Sequence, residues 1–348
     1  MSGRRWAPFI GALAMALLVV ACGPNALPRA DVASAEVATS PPSADAPRTG
    51  AIVPSAPIAQ LFGGGSTLEG RLLFTQQGDL WIWEKGAARA LAVGYTWRQP
   101  KWAPDGARFV YVYRGNSFSD IFVTDVENKA PRRLTTSQSQ ILNDNDWNLR
   151  PAWSPDGRQI AYASDTSSAN PLLWVLNAAD GTGRRQVQTG LNAWAIDAIA
   201  WSPDGSRVAV AAFIGVGTSQ IATVPMNASA RPGATVLTNY AAGALDPAWS
   251  PDGAWIAYSA REGRQVNVYA MRADGTQQAR LTNVTMARAP EWSPDGRRLA
   301  YLSAESGTFE VWVVDVVQKP DGGLEARDPR QVTRDIGLDA PSGVTWTK

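Results

Sequence analysis

Histidine is missing from this chain and cysteine nearly so: 348 residues hold no His and one Cys. Without His there is no Ser-His-Asp or Cys-His catalysis, no His general base, and no His-ligated zinc, iron or copper. One Cys forms neither an intrachain disulfide nor a Cys-cluster metal site. An excess of one charge is missing too. The 32 basic and 31 acidic side chains leave a net charge of +1, which creates no field to gather nucleic acid. These absences leave carboxylate chemistry, calcium binding, or no chemistry at all. What is plentiful is Trp, with 15 copies, together with 31 Gly and 24 Pro. The length is ample for a large core in one to three domains.

The first residues read as an address. Arg4 and Arg5 precede an uncharged run from Trp6 to Ala21, and Cys22 follows. That run is shorter than the ~20 residues a spanning helix needs. Two positive charges, a short apolar core and small residues before a cut describe a secretory signal peptide over residues 1–21. Val19-Val20-Ala21-Cys22 resembles a bacterial lipobox, with Val19 where Leu is commonest. The resemblance implies cleavage before Cys22 and lipid on that residue. Gly23 stands where an Asp would signal inner-membrane retention. The competing reading is an uncleaved anchor or a non-lipidated signal peptide with an incidental Cys.

Residues 23–66 carry Pro24, Pro28, Pro41, Pro42, Pro47, Pro54 and Pro57 among many Ala and Ser. Such a composition buries too little apolar surface to offset its ordering entropy, so 22–66 is expected to be a disordered tether. As a flexible chain it reaches roughly 35–40 Å.

A repeat array is expected from residue 67 to 348. Trp-Ser-Pro-Asp-Gly begins at Trp153, Trp201, Trp249 and Trp292, and Trp-Ala-Pro-Asp-Gly begins at Trp102. Trp346 marks where a further copy starts. After each pentapeptide comes an alternating segment such as Ile160-Ala161-Tyr162-Ala163. A third strand is expected near 172–176, 266–271 and 309–314. A fourth ends in Leu134-Thr135, Leu237-Thr238, Leu281-Thr282 or Val332-Thr333. Four short strands per unit is the pattern of a β-propeller blade. In each pentapeptide Pro fixes φ at the second turn position and Gly takes a positive φ. The acids Asp105, Asp156, Asp204, Asp252 and Asp295 are therefore read as turn formers rather than a functional ring.

Five motifs give five blades, and the termini add a sixth. Strands at 71–75, 80–84 and 89–92 would pair with a strand at 342–347. The fold class is thus all-β: a six-bladed propeller, four antiparallel strands per blade, closed by both ends of the chain in one blade. Such closure removes open sheet edges.

These motifs resemble the propeller of the TolB family, a six-bladed WD-repeat-like fold, and also the propeller of prolyl-oligopeptidase-type enzymes. TolB-type chains carry a small α/β domain before the propeller, and 23–66 is too short and Pro-rich for one. The oligopeptidase likeness implies a serine hydrolase, yet the sequence has no Gly-x-Ser-x-Gly and no His. The TolB likeness implies an envelope scaffold that binds a protein or peptide.

Six Trp belong to the pentapeptide positions, and Trp81, Trp83, Trp174, Trp255 and Trp312 fall in strands. Trp97, Trp147 and Trp194 remain, all in segments entering a motif strand, with Tyr240 in the equivalent place of the next blade. Arg98, Arg150, Arg288, Asp197, Asp246 and Asp339 fall in the same segments. Aromatics beside Arg mark interface cores, so Trp97, Trp147, Trp194, Tyr240, Arg98, Arg150, Asp197 and Asp246 are the candidate partner-binding set. Packing between blades is the alternative for the aromatics. Glycan stacking on the three Trp is a second function. A carboxylate- or calcium-dependent lactonase or glycosidase is a third, with Asp197 and Asp246 the nominated pair. Asn143-Asp144-Asn145-Asp146 is oxygen-rich but lacks the Gly turn and terminal Glu of a calcium loop. The expectation is a monomeric, non-enzymatic binding module with no catalytic residue, cofactor or metal. It would be lipid-anchored at Cys22 outside the cytoplasmic membrane, periplasmic or extracellular, with an envelope protein or peptide as partner.

Overall fold

A computed structural model describes residues 68–348 except 95, 128–129, 140–144, 167, 216 and 228–232. The signal peptide, Cys22, the tether, and Asn143 with Asp144 lie outside the described residues.

Among the described residues, twenty-four strands form six four-stranded antiparallel sheets. The first blade holds β1 (Arg71–Gln76), β2 (Asp79–Glu84) and β3 (Ala87–Ala92). Its innermost strand is β24 (Val344–Thr347), at the other end of the chain, with Leu72 opposite Trp346 and Phe74 opposite Val344. Blade two is β4 (Trp97–Trp102), β5 (Arg108–Arg114), β6 (Ser119–Asp125) and β7 (Arg132–Arg133). Blade three is β8 (Asn148–Trp153), β9 (Gln159–Ser164), β10 (Leu172–Asn177) and β11 (Arg185–Gln186). Blade four is β12 (Ala193–Trp201), β13 (Arg207–Ile214), β14 (Thr218–Pro225) and β15 (Thr235–Val236). Blade five is β16 (Ala244–Trp249), β17 (Trp255–Glu262), β18 (Gln265–Arg272) and β19 (Ala279–Arg280). Blade six is β20 (Ala287–Trp292), β21 (Arg298–Ser303), β22 (Glu310–Gln318) and β23 (Leu324–Gln331). The terminal segment is shorter as a strand than expected, because 340–342 form a single 3-10 turn before β24.

The second strands are buried on both faces rather than half-solvated. Ile160, Ala161 and Tyr162 are all fully buried, since each blade is sandwiched between two others. Alternation survives as large against small. Ile160 and Tyr162 pack toward Val110 and Ile121 of blade two, while Ala161 and Ala163 receive Ile196 and Val208 of blade four. Bulk on one face and space on the other let neighbouring blades interdigitate at interior density.

The pentapeptide works as a hairpin. Gly157 takes φ of 69° and its N–H donates to Ser154 O at 2.9 Å. Ser154 N donates to Gln159 O at 2.9 Å. Ser154 Oγ donates to Asp156 Oδ1 at 2.6 Å, and Arg158 N donates to the same oxygen at 3.0 Å. The Ser154 hydroxyl and the Arg158 N–H hold the Asp156 carboxyl below its usual range. Ser202-Asp204, Ser250-Asp252 and Ser293-Asp295 repeat the hydroxyl–carboxylate bond at 2.5–2.6 Å. Ala103 breaks it, and Asp105 bonds Ala107 N and Arg108 N instead. The motif Trp joins blades: Trp153, Trp201 and Trp292 Nε1 donate to the carbonyls of Lys101, Ala152 and Ala248 on the preceding inner strand.

The Leu/Val-Thr pairs follow the fourth strand and latch the third. Thr135, Thr238, Thr282 and Thr333 accept at Oγ1 from Ile121, Ile221, Val268 and Val311 N–H, each at 2.9 Å. Each hydroxyl donates in turn to a side chain one residue earlier on the third strand: Asp120, Gln220, Asn267 or Glu310. Buried Asp120 and Glu310 are thereby spent on the latch.

Candidate binding faces at the propeller axis

The axis is lined by β4, β8, β12, β16, β20 and β24. Four of these carry Pro two residues before the motif Trp: Pro100, Pro151, Pro247 and Pro290. The residue before each Pro is left-handed, with φ of 52° at Gln99, 55° at Arg150, 53° at Asp246 and 52° at Ala289. A bulge falls at each of these points. Non-glycine residues rarely adopt this conformation. Here it turns four side chains toward the axial cavity, which all four line.

Toward the face opposite the Pro-Asp-Gly turns, arginines and aspartates pair across blades. Arg150 Nε reaches Asp197 Oδ1 at 3.1 Å, joining blades three and four. Arg288 Nη2 reaches Asp246 Oδ1 at 3.1 Å, joining blades five and six. Arg98 Nη1 lies 3.9 Å from Asp339 Oδ2, joining blade two to the segment that precedes β24. Asp339 also accepts from Gln77 N at 3.0 Å and Gly78 N at 2.8 Å. Arg150 Nη1 donates to Pro341 O at 2.6 Å, and Arg150 N to Gln99 Oε1 at 2.7 Å. Burial alone would raise the Asp246 carboxyl. The Arg288 and Arg150 guanidiniums, with Ser259 Oγ donating at 2.9 Å, hold it below its ordinary value. The six charged residues that the sequence grouped are thus three ion pairs. Asp197 and Asp246, the carboxylates nominated for glycoside hydrolysis, are each bonded to an arginine.

The axial cavity holds about 570 Å³ and extends from these residues to the turn face. The six motif Trp surround it: Trp102, Trp153, Trp201, Trp249, Trp292 and Trp346. One step inward the wall is two-sided. Blades three, four and five present Ala152, Ala200 and Ala248. Blades two, six and one present Lys101, Glu291 and Thr345. Lys101 Nζ pairs with Glu291 Oε2 at 2.8 Å, and Thr345 Oγ1 donates to Glu291 Oε1 at 3.2 Å. Sequence reading missed this hollow. Its signal was the residue just before each motif Trp, small in three copies and polar in the others.

The loop-face aromatics divide. Trp97 opens β4 and is 3% exposed, its ring 4.2 Å from that of Tyr111, so it packs between blades one and two. Trp147 is half-buried beneath Arg114, whose guanidinium lies 5.5 Å from the ring centre. Tyr240 is half-buried, in contact with the Tyr258 and Tyr269 rings, and its hydroxyl lies 3.1 Å from that of Tyr258. Trp194 is 45% exposed and leans on Phe213 at 4.9 Å. It sits on a crest: β12 is nine residues long, and β13 with β14 forms a long hairpin. The sequence has no charged side chain in 186–196 or 208–230. Asn145 Nδ2 donates to Ser117 Oγ at 2.7 Å and Asp146 Oδ2 accepts from Thr166 Oγ1 at 2.8 Å. Among the described residues no group of three or more acidic, Cys or His side chains is arranged to hold a metal. Nor is any described helix long and apolar enough to cross a membrane.

A family model for the TolB beta propeller domain matches residues 137–321. The "Uncharacterized peptidase YuxL" of Bacillus subtilis is 26% identical over 197 residues, 46% of this chain and 29% of that protein. The "Uncharacterized protein Atu1656" of Agrobacterium fabrum is 30% identical over 185 residues, 53% of this chain and 57% of that protein. The chain therefore spans less than two thirds of either relative. The crystal structure of TolB from Acinetobacter baumannii superposes with a TM-score of 0.64 at 18% identity, covering 81% of this chain and 67% of that one.

Proposed function

This chain belongs to the TolB β-propeller family, and on that premise we propose that it is a non-enzymatic, protein- or peptide-binding scaffold of the cell envelope. The lipid at Cys22 tethers it outside the cytoplasmic membrane, and the loop face receives the partner. The observation that carries this reading is the crest of blade four. An exposed Trp, held against Phe213 on an uncharged hairpin, is an anchor whose conformational cost is already met. Trp147, Tyr240, Arg98, Arg150, Asp197 and Asp246 flank or floor the same face. Trp97, buried between blades one and two, holds blade two in place beneath that face. The axial carboxylates support binding over catalysis, since those nominated for chemistry are held by arginines. The peptidase-named relative shares only a minority of its length with this chain.

A photo-crosslinking residue in place of Asn192, beside Trp194, should trap one discrete protein adduct in intact cells. The same group in place of Ser206, on the turn face, should trap none. Adducts of equal yield at both positions would remove the loop face as the docking side. Cells fed a labelled fatty acid should label this protein, Cys22→Ser should abolish that label, and label retained by the variant would overturn the lipid anchor.

A further inference from the structure

We propose that the loop-face hairpins of blades four and five together hold an extended peptide, with an apolar side chain on blade four and acidic side chains on blade five. The inference rests on the loop-face reading above and names the chemistry of its partner. Counted from the pentapeptide, the second strand ends at Ser164 in blade three and at Ser303 in blade six. In blades four and five it runs two residues further toward the loop face, to Ile214 and Glu262. The added pair is Phe213-Ile214 in blade four and Arg261-Glu262 in blade five. The two hairpins adjoin. Ser219 pairs with Phe213 and lies against Gly243, where a Cβ would meet the Ser219 Oγ at 3.1 Å. The Gly243 carbonyl in turn accepts from Arg261 N at 3.2 Å. Trp194 is the extra residue of a bulge, since Ala193 stands opposite Ile214 and Ala195 opposite Phe213. The other inner strands bulge once or not at all, and β12 bulges twice. Such a bulge re-aims a side chain, and this one sets the exposed indole against the Phe213 ring.

Charge complementarity chooses the partner. Arg261 and Arg264 are exposed at the tip of blade five, and among the described residues neither meets a carboxylate. Arg280 adds a third cation beside them, bonded to Gln265 Oε1 at 3.0 Å and Asn283 Oδ1 at 2.9 Å. The one acid of the tip, Glu262, lies toward Tyr269, whose hydroxyl is raised first by burial and next by that carboxylate. An acidic side chain therefore finds cations on blade five. An apolar one finds a charge-free aromatic seat on blade four, at Trp194, Phe213 and Ile214. From the Trp194 ring to Arg261 is on the order of 15–20 Å at strand spacing, the length of about five or six extended residues. A peptide fits this seat better than a bilayer does. Among the described residues Trp194 and Val236 are the exposed large apolar side chains, whereas a lipid surface takes up a whole apolar face. Aromatic and Arg side chains are also the favoured anchors of protein interfaces.

The strands from Arg71 to Thr347 close the ring on themselves, so the soluble chain beginning at Gly23 serves for the test. The probe is a phage library of short random peptides, selected on that chain and counter-selected on Trp194→Ala. Enriched clones should carry acidic residues on one side of an aromatic or aliphatic anchor, within about six positions of it. Such a clone, made as a synthetic peptide, should bind the double variant Arg261→Glu with Arg264→Glu at least about tenfold more weakly, at unchanged melting temperature. Its affinity for the unaltered chain should also fall steadily with salt, a measurement that stands even where the double variant fails to fold. Enriched clones without acidic residues overturn the inference and leave the scaffold reading in place. So do acidic clones indifferent to salt or to a folded double variant. If no clone depends on Trp194, the loop-face reading falls together with the inference. Phosphatidylglycerol vesicles that sediment the chain but not W194A would put a lipid surface in the peptide's place and overturn it too.

Discussion

The two ends of the axis are built by opposite rules. At the turn face the same few bonds recur in several blades: Ser hydroxyl to Asp carboxylate in four, Gly N–H to the carbonyl three residues earlier in five, Trp indole to the preceding inner strand in three. At the loop face nothing repeats. Three Arg–Asp pairs differ in geometry, and one inner strand, β12, is longer than the others and carries an exposed Trp. Repetition marks what every blade needs in order to pack. Departure from it marks what one blade does alone. An acid in the first region is a turn former. An acid in the second is half of a bridge between blades.

That contrast can be strained hardest at the closure. Deleting residues 342–348 removes β24, Thr345 and Trp346, and opens the ring. The expected result is loss of a cooperative thermal transition by circular dichroism, and a full melting temperature would refute closure. Next in size is Asp246→Ala. It leaves Arg288 buried without its partner, and breaking such a pair costs about 3–5 kcal/mol. Its pH dependence has a definite sign. The Asp246 carboxyl is held below its ordinary 3.8, so its stabilisation is complete above that value and is lost as pH falls through the lowered one. D246A should therefore flatten the acid limb of the stability curve, and an unchanged limb would remove this pair from the account.

Turn-face changes should be smaller. Asp156→Ala loses bonds to Ser154 and Arg158 at the surface, at about 1 kcal/mol by denaturant melt. Ala103→Ser restores the missing hydroxyl of the second blade and should stabilise by about 0.5–1 kcal/mol. A destabilising A103S would show that the five turns are not equivalent. Smallest of all in stability is Trp194→Ala, within about 0.5 kcal/mol, because the ring is largely on the surface.

Legibility in the sequence follows the same division. The pentapeptide exposed the blade count, the turn chemistry and the closing strand, because each copy makes its bonds within a few residues. The loop-face charges could be gathered but not paired. Arg150 and Asp197 are 47 residues apart, and Asp246 and Arg288 are 42 apart, so the ring alone decides who meets whom. Trp97 and Trp194 looked equivalent as extra aromatics before a motif strand. They differ because β4 begins at Trp97 and draws it between blades, whereas β12 runs longer and lifts Trp194 clear. The left-handed residues were invisible as conformations, though Pro two places before Trp marked four of them. Asp120 and Glu310 gave no signal, since their Thr partners arrive from the far side of the fourth strand.

The central claim is that the loop face recognises and the turn face builds. It is tested most directly by recovering the partner from envelope extract on immobilised W194A and D156A in parallel, with the melting temperature of each. The account predicts that W194A loses the partner at unchanged melting temperature, while D156A keeps it at a lowered one. Partner retained by W194A and lost by a still-folded D156A would contradict it.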